Sequence, residues 1–343
     1  MNILFTAEYD KKWDEEIHQL GQVQMMGWAI GNPKIPESKL CDIVSDTEVI
    51  VTSYDAITSK VIDAAKNLKL IACTRGTPVN IDTAYAKGRD IPVIHTPGRN
   101  ADSAAEMTIA LMLNCARNIP QAHLALHHGL YCSEEKKTGS KNPKEDITWG
   151  VGKDQPYAVF KGVELKDRSV GIIGFGSIGR RVSVIARAFG MNVLVYDPFI
   201  SEIDVDTLGQ TKVDLDNLLY NSDFVSCHVK ITPETKGMID KNCFSKMKSD
   251  AFFINTSRAA AVDEEALLAA LKNEEIKGAG LDVFSREPIP CDHPFLTEFS
   301  DRVVATPHIA GATEDAIANH TQMLVSDMKR FLAGKPMLYL YER

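Results

Sequence analysis

Three side chains with the chemistry for proton transfer and acid binding follow apolar segments in the last third of the chain. Arg258 follows "AFFINTS", Glu287 follows "GAGLDVFSR" and His308 follows "RVVATP". Histidine gives or takes a hydroxyl proton near neutral pH, and a carboxylate beside it orients the ring. Arginine binds a carboxylate through two parallel hydrogen bonds. Each residue alone is also typical of an ion pair or a turn, so their common position after predicted strands is what favours a catalytic site.

The elements that would position these residues alternate between short apolar runs and helical patterns. A first series has about four strands ("NILFTA", "EVIVTS", "LKLIAC", "IPVIHT") and a second about six, from "SVGIIG" to "RVVAT". Such alternation predicts parallel sheets in an α/β protein with two doubly wound domains. Ligands of such sheets bind beyond the carboxyl ends of the strands, where Asp282 also lies.

A glycine-rich turn opens the second series. Gly174, Gly176 and Gly179 follow the strand "SVGII" and begin a helical pattern, in the spacing that lets a backbone approach a pyrophosphate. Asp197 ends the next strand, 18 residues beyond Gly179, where a carboxylate can accept hydrogen bonds from ribose hydroxyls. It would repel a 2′-phosphate, so the pattern predicts NAD rather than NADP. The alternative is a purely structural turn followed by a solvated aspartate.

Length and composition are those of a cytoplasmic enzyme with two domains. The chain has 343 residues, a formal net charge of −8 and seven scattered cysteines without a C-x-x-C pair. The negative charge argues against nucleic acid or an anionic membrane as partner. The cysteine pattern suits a reducing compartment, and no apolar segment reaches the length of a membrane span. No residues are assigned as metal ligands.

Five segments together resemble the D-isomer-specific 2-hydroxyacid dehydrogenase family, in its phosphoglycerate dehydrogenase-like group. They are "TPGRNADSAAEMT", "GIIGFGSIGR", "NTSRAAAVDEEAL", "GAGLDVFSREP" and "TPHIAGAT". The resemblance implies a Rossmann cofactor domain, residues 104–308, inserted into a discontinuous, flavodoxin-like substrate domain, residues 1–103 and 309–343. It also implies a homodimer. The aromatic residues of the polar segment 130–160, including Trp149, predict a dimerisation arm there, with a solvated loop as the alternative.

The resemblance also implies roles for individual residues. His308 matches the acid/base residue, Glu287 its carboxylate partner and Arg258 the substrate anchor. The cofactor contacts implied by the family motifs are Gly174, Gly176, Ser177, Ile178, Gly179, Asp197, His228, Thr235, Thr256, Ser257, Asp282 and Gly311. Ala259 and Lys230 depart from the family pattern, which usually has Gly and Pro at these positions.

The substrate loop carries an unusual arginine. The substrate-binding residues predicted outside the catalytic trio are Arg75, Gly76, Arg99 and Asn100. We expect Arg75, together with Arg99, to bind a second anionic group or several hydroxyls, as in a phosphorylated or sugar-derived 2-hydroxy acid. The alternative is an ion pair between Arg75 and a nearby carboxylate.

The sequence therefore predicts hydride transfer between the nicotinamide of NAD and the C2 atom of a small 2-hydroxy or 2-keto acid. Formate dehydrogenase shares the architecture, but that branch has Gln where Glu287 stands. The alternative from another class is an NAD(H)-sensing binding protein, like the corepressors related to this family, without significant turnover.

Overall fold

Residues 1–132 and 152–342 are described in a computed structural model of the chain. The chain divides into two compact units, the first Met1–Ser103 with Gly311–Arg343 and the second Ala104–Ala310. Each unit contains one sheet in which every strand pair is parallel. The predicted α/β class with two parallel-sheet domains is confirmed.

The first unit is built on a five-stranded sheet in the order β2-β1-β3-β4-β5. Its strands are β1 (Asn2–Phe5), β2 (Gln22–Met25), β3 (Val49–Thr52), β4 (Leu70–Cys73) and β5 (Val93–Ile94). Helices α1 (Asp14–Gln19), α2 (Glu37–Ile43), α3 (Ser59–Ala64) and α4 (Thr83–Gly88) connect them. This strand order is that of flavodoxin-like sheets. The register places Leu4 opposite Ile50 on one side and opposite Gln24 on the other.

The second unit contains a seven-stranded sheet in the order β12-β11-β10-β9-β6-β7-β8. Its strands are β6 (Ser169–Ile173), β7 (Asn192–Tyr196), β8 (Thr211–Lys212), β9 (Phe224–Cys227), β10 (Phe252–Asn255), β11 (Gly278–Leu281) and β12 (Val303–Ala305). The helices before and between them are α5 (Ala101–Arg117), α6 (Ile119–His127), α7 (Pro156–Val159), α8 (Ser177–Ala188), α9 (Glu202–Asp206), α10 (Leu215–Asn221), α11 (Lys241–Lys246) and α12 (Glu264–Lys272). The strand order reverses at β6: β7 and β8 lie on one side of it, and β9 to β12 lie on the other. β6 accordingly pairs with both β7 and β9.

The strand counts correct the sequence prediction by one strand in each unit. The sheets have five and seven strands where about four and about six were expected. The sequence did not predict β2, because this edge strand, "QVQM", alternates polar and apolar residues. Its side chains are exposed or half-buried. β8 has only two residues. In contrast β3, β4, β9 and β10 are fully buried, as the continuous apolar runs of parallel strands predict.

The C-terminal helix belongs to the first unit. Helix α13 (Glu314–Leu332) begins where the Thr313 hydroxyl accepts a hydrogen bond from the amide of Ala316. Its residues Leu324 and Met328 pack in the same buried cluster as Phe5 of β1. The core of the first unit therefore includes a helix that follows the second unit in the sequence.

The predicted dimerisation arm is described only in part, because residues 133–151, with Trp149, lie outside the described residues. On its two sides, Phe160 packs edge-to-face against Tyr131 with ring centroids 5.8 Å apart. No helix in residues 1–132 and 152–342 is both long enough and apolar enough to cross a membrane.

Candidate active site

The glycine turn after β6 has the features of a phosphate-binding turn. Gly174 has a left-handed φ of +92°, and a Cβ atom there would lie 2.8 Å from the carbonyl oxygen of His228. At Gly179 a Cβ atom would lie 2.2 Å from the Gly174 carbonyl oxygen, so this glycine allows close helix–strand packing. At Gly176, by contrast, a Cβ atom would meet nothing within 4 Å.

The open side of Gly176 coincides with the uncapped start of a helix. Gly176 is the N-cap residue of α8, and no side chain accepts a hydrogen bond from its first turn. Unpaired N–H groups and the helix dipole attract a phosphate at this position. Ser177 and Ile178 form the first turn itself. The residues present therefore fit the pyrophosphate of a dinucleotide at the point where the strand order reverses.

Asp197 is held rigidly at the end of β7. Its Oδ2 atom accepts a hydrogen bond of 2.8 Å from the amide of Phe175, and its Oδ1 atom one of 2.9 Å from the amide of Phe199. It lines a cavity of about 550 Å³ together with Glu202, Lys212 and Asp214.

The charges that line this cavity favour one cofactor over the other. Of its charged residues, the sequence had predicted only Asp197 as a cofactor contact. Lys212 is the one cation among its lining residues, and its ammonium donates a hydrogen bond to the carbonyl of Ile200. Three carboxylates against one ammonium leave the cavity negative, which disfavours a 2′-phosphate. The contribution of Glu202, Lys212 and Asp214 was not visible in sequence because they lie on separate elements.

The catalytic candidates of the second unit come from three adjacent strands. Arg258 follows β10, Asp282 follows β11 and His308 follows β12, and these strands are neighbours in the sheet. Their carboxyl ends lie at one edge of the sheet because the strands are parallel. The structure therefore brings together residues that are 24 and 26 positions apart in the chain.

His308 and Glu287 form a hydrogen-bonded pair. The Nδ1 atom of the imidazole lies 2.7 Å from Oε2 of Glu287, and the side chains are 47% and 37% exposed. An ionised carboxylate only accepts hydrogen bonds, so Nδ1 carries the proton and donates it. The Nε2 atom of His308 is consequently the ring atom left to act on a substrate.

The pKa of Glu287 is lowered despite partial burial. Burial raises the pKa, but the hydrogen bonds from His308 and from the amide of Phe284 lower it, as do the charges of His308 and Arg258. The net effect keeps Glu287 ionised at neutral pH. The charge of Arg258 therefore acts on the same carboxylate that pairs with His308.

Asp282 organises the loop that carries His308. The carboxylate is fully buried and accepts hydrogen bonds from the Thr306 hydroxyl and from the amides of Ile309 and Ala310, at 2.6 to 2.8 Å. His308 between them has a left-handed φ of 56°, a conformation that costs energy for a residue with a side chain. Asp282, predicted as a cofactor contact, thus uses its carboxylate to hold the histidine loop in that conformation.

Asn255, a residue that no sequence motif indicated, holds the turn between β10 and Arg258. Its amide oxygen accepts hydrogen bonds from both the amide and the hydroxyl of Ser257, and its amide nitrogen donates to the carbonyl of Arg258. The hydroxyl of Thr256 pairs with that of Thr108 on α5 at 2.8 Å. The only sequence signal for the role of Asn255 was its place as the one polar residue at the end of the apolar strand β10, "FFIN".

The loop after β9 is closed by its own side chains. The Thr235 hydroxyl donates to the carbonyl of Lys230 and accepts a hydrogen bond from the amide of Thr232. The ring of His228 lies 2.8 Å from the Ser226 hydroxyl, and its Nδ1 atom is buried without a hydrogen-bond partner. Burial lowers the pKa of His228 to about 4, so the ring is neutral at pH 7.

The remaining predicted site residues belong to the first unit. The Arg75 guanidinium lies over the ring of Tyr54, 5.0 Å from its centroid. The Gly76 carbonyl lies 2.8 Å from a ring nitrogen of His95. The predicted cofactor residue Gly311 is in this unit and not in the second.

Two further residues of the first unit complete this set. A Cβ atom at Gly311 would lie 2.1 Å from the amide nitrogen of Asn100, so Asn100 fills the space that the glycine leaves. Arg99 is half-buried, and its Nη1 atom lies 3.3 Å from the Nδ1 atom of His320.

Comparisons with known proteins show the family to which the chain belongs. Residues 109–310 match the family model of the D-isomer specific 2-hydroxyacid dehydrogenase NAD binding domain. The chain is 38% identical over 284 residues to a hydroxypyruvate reductase of Thermotoga maritima, covering 82% of this chain and 84% of that protein. It is also 38% identical over 289 residues to a D-3-phosphoglycerate dehydrogenase of Archaeoglobus fulgidus, covering 84% of this chain.

The chain spans about half the length of that phosphoglycerate dehydrogenase, 50%. Among solved structures, a D-lactate dehydrogenase from Aquifex aeolicus, complexed with NAD and lactic acid, matches with a TM-score of 0.73 and 28% identity, over 97% of this chain and 96% of that one. These relatives confirm the resemblance that the sequence motifs indicated. The chain belongs to the D-isomer-specific 2-hydroxyacid dehydrogenase family, and residues 109–310 match the NAD-binding domain of that family.

Proposed function

We propose that Arg258, Glu287 and His308 are the catalytic residues of an NAD-dependent dehydrogenase that interconverts a D-2-hydroxy acid and its 2-keto acid. The single observation that carries the proposal is the 2.7 Å hydrogen bond between Glu287 and His308, in a site that includes Arg258. Bound NADH supplies the hydride for reduction of the keto acid.

The protein groups have separate tasks in this reaction. Arg258 binds the substrate carboxylate, which fixes the keto carbon beside it. His308 donates the proton on Nε2 to the carbonyl oxygen as that oxygen gains negative charge. Glu287 accepts the hydrogen bond from Nδ1 and so fixes the orientation of the ring, which leaves Nε2 for the transfer. In the oxidation direction, His308 takes the same proton from the hydroxyl group.

The remaining polar part of the substrate is assigned to Arg75, Gly76, Arg99 and Asn100. Arg75 and Arg99 favour a substrate with a second anionic group, such as a phosphorylated 2-keto acid. Support comes from the salt bridges between described residues, none of which involves either guanidinium.

A panel of 2-keto acids followed by NADH absorbance tests the activity. It should contain pyruvate, glyoxylate, hydroxypyruvate and 3-phosphohydroxypyruvate, each with NADH and with NADPH. We expect turnover with NADH and a preference for the phosphorylated compound. Binding of NADH without turnover of any member would contradict the proposal and favour the NAD(H)-sensing alternative. Equal activity on pyruvate and 3-phosphohydroxypyruvate would contradict the roles of Arg75 and Arg99.

We further propose a cytoplasmic homodimer formed through the NAD-binding domain. All seven cysteines are free thiols, which suits a reducing compartment. Leu124, Leu126, Leu130 and Val159 of the second unit are exposed apolar side chains, as expected of a surface that a second copy covers. Light scattering after gel filtration would test the dimer, and a monomer at micromolar concentration would contradict it.

A further inference from the structure

Arg99 of the first unit is a half-buried cation with an unusual set of partners. Burial lowers the pKa of its guanidinium, and the nearby charge of Arg75 lowers it further, while Tyr54, Cys73 and Glu8 act in the opposite direction. Among the described residues, Arg99 takes part in none of the salt bridges, with Glu8 or with another carboxylate. A half-buried cation whose charge is only partly balanced by its neighbours favours an anionic ligand.

Helix α13 holds Arg99 at two points. The amide nitrogen of Asn319 donates a hydrogen bond of 3.0 Å to the Arg99 carbonyl. The Nδ1 atom of the next residue, His320, lies 3.3 Å from the Nη1 atom of Arg99. Consecutive residues of one helix therefore fix both the backbone and the guanidinium of Arg99.

The partners of His320 determine where its proton lies. Its Nε2 atom is 2.8 Å from the carbonyl oxygen of Glu8, which can only accept a hydrogen bond. His320 is 3% exposed, and burial lowers its pKa to about 4, so the ring is neutral at pH 7. A neutral ring that donates through Nε2 has a lone pair on Nδ1. That lone pair accepts the N–H of Arg99.

We propose that His320 is a positioning residue for substrate specificity: it orients Arg99, through Nδ1, to bind the second anionic group of the substrate. The proposal rests on the function proposed above, in which Arg99 contacts the substrate. His320 itself touches no reacting atom. Its contribution is to keep the Arg99 guanidinium in one orientation without neutralising its charge, which a carboxylate partner would do.

Two isosteric substitutions separate the two ring nitrogens. In His320→Asn the amide oxygen can take the place of Nδ1 and accept from Arg99, whereas the Nε2 contact to Glu8 is lost. In His320→Gln the amide nitrogen can replace Nε2 and donate to Glu8, whereas the acceptor for Arg99 is lost. We expect His320→Gln to raise the KM for 3-phosphohydroxypyruvate about tenfold, as loss of a hydrogen bond to a charged group predicts.

The same variant should leave kcat and the KM for pyruvate within about twofold of wild type, since pyruvate has no second anionic group. His320→Asn should retain a KM for 3-phosphohydroxypyruvate close to that of wild type. Equal increases for both substrates, or a larger effect of Asn than of Gln, would overturn the proposal. A purely structural role of His320 would produce the equal increases.

A double-variant cycle tests whether His320 acts through Arg99. In an Arg99→Met background, His320→Gln should cause no further rise in the KM for 3-phosphohydroxypyruvate; an additive rise would contradict the proposal. The Asn319→Ala variant, altered at an exposed position, gives a second test if the His320 variants fail to fold. It should raise the same KM selectively, and an unchanged KM would count against fixation of Arg99 by α13.

Calorimetric titration with inorganic phosphate makes the result independent of turnover. Phosphate should bind wild type and His320→Asn with similar affinity and His320→Gln about tenfold more weakly. If wild type turns over no 2-keto acid but this order holds, the proposed function fails and the role of His320 stands. If turnover is observed but phosphate binds all three proteins equally, the role of His320 fails alone.

Discussion

Two histidines, one in each unit, use the same ring atom in opposite ways. His308 of the second unit donates through Nδ1 to the carboxylate of Glu287. His320 of the first unit accepts through Nδ1 from the guanidinium of Arg99. His308 is exposed beside a negative charge, whereas His320 is buried beside a positive charge.

The difference shows that the partner and the burial of a histidine decide its chemical use. A carboxylate partner accepts the hydrogen bond from Nδ1 and leaves Nε2 free to exchange a proton with a substrate. Burial beside arginine favours the neutral ring, which cannot serve as an acid at pH 7. The first arrangement suits proton transfer, and the second suits fixation of a cation.

The largest expected effect comes from breaking the acid/base pair. His308→Gln should lower kcat by about 10³-fold, because no other group then carries the proton to the carbonyl oxygen. The dissociation constant of NADH, measured by fluorescence titration, should stay within about twofold. His18→Gln, at an exposed position of α1, is the matched control and should leave kcat unchanged. Normal turnover of His308→Gln would show that His308 is not the acid/base residue.

The neutral state of His320 makes the stability of the protein depend on pH. Its pKa is 6.5 in the unfolded chain and about 4 in the folded protein, so the unfolded chain binds the proton first as the pH falls. Stability is therefore lost between pH 6.5 and about 4, by about 3 kcal/mol for this side chain.

Urea unfolding of wild type and His320→Asn at several pH values measures this loss. The difference in unfolding free energy between the two proteins should shrink by that amount as the pH falls from 7 to 4. Burial also lowers the pKa of His228 to about 4. Its contribution to the unfolding free energy is the same in both proteins and cancels in the difference. A difference that is constant with pH would show that His320 is not held neutral by burial.

A third pair of variants compares the arginines of the two units. Arg258→Lys should lower kcat/KM by about a hundredfold for every 2-keto acid, since lysine cannot bind the carboxylate through two parallel hydrogen bonds. Arg99→Lys should lower kcat/KM only for acids with a second anionic group. The same assay with pyruvate and 3-phosphohydroxypyruvate measures both. An equal loss on pyruvate from both variants would show that the arginines do not divide the substrate as proposed.

The smallest expected effect is that of Glu287→Gln. The amide oxygen still accepts from His308 but carries no negative charge, so the hydrogen bond that orients the ring is weaker. We therefore expect kcat at pH 7 to fall about tenfold, the cost of one charge-assisted hydrogen bond. The pKa of Glu287 is lowered, so the contribution of its carboxylate is complete above its ordinary pKa of 4.5 and is lost as the pH falls through the lower, folded-state value. A pH profile of kcat checks the sign: only wild type should lose this contribution in that acidic range.

Much of the second unit could be predicted from sequence because its signals are local. The spacing of Gly174, Gly176 and Gly179 reflects steric requirements within one turn, and the apolar runs reflect strands buried on both faces. Parallel strands with ends at one sheet edge then place Arg258 and His308 together. The edge strands β2 and β8 escaped prediction because exposed or two-residue strands leave no such pattern.

What the tertiary structure decided is the hydrogen-bonding partner of each polar group. Asp282 accepts from backbone amides of a loop 27 and 28 residues away, and Arg99 meets His320 across 221 residues. Such pairs form where folded elements pack, and no periodicity or turn chemistry along the chain encodes them. The sequence by itself determined which side chains could exchange a proton or bind an anion. Only the folded chain, through burial and the charge of the neighbour, decided that His308 pairs with a carboxylate near the surface and that His320 is buried and neutral beside a cation.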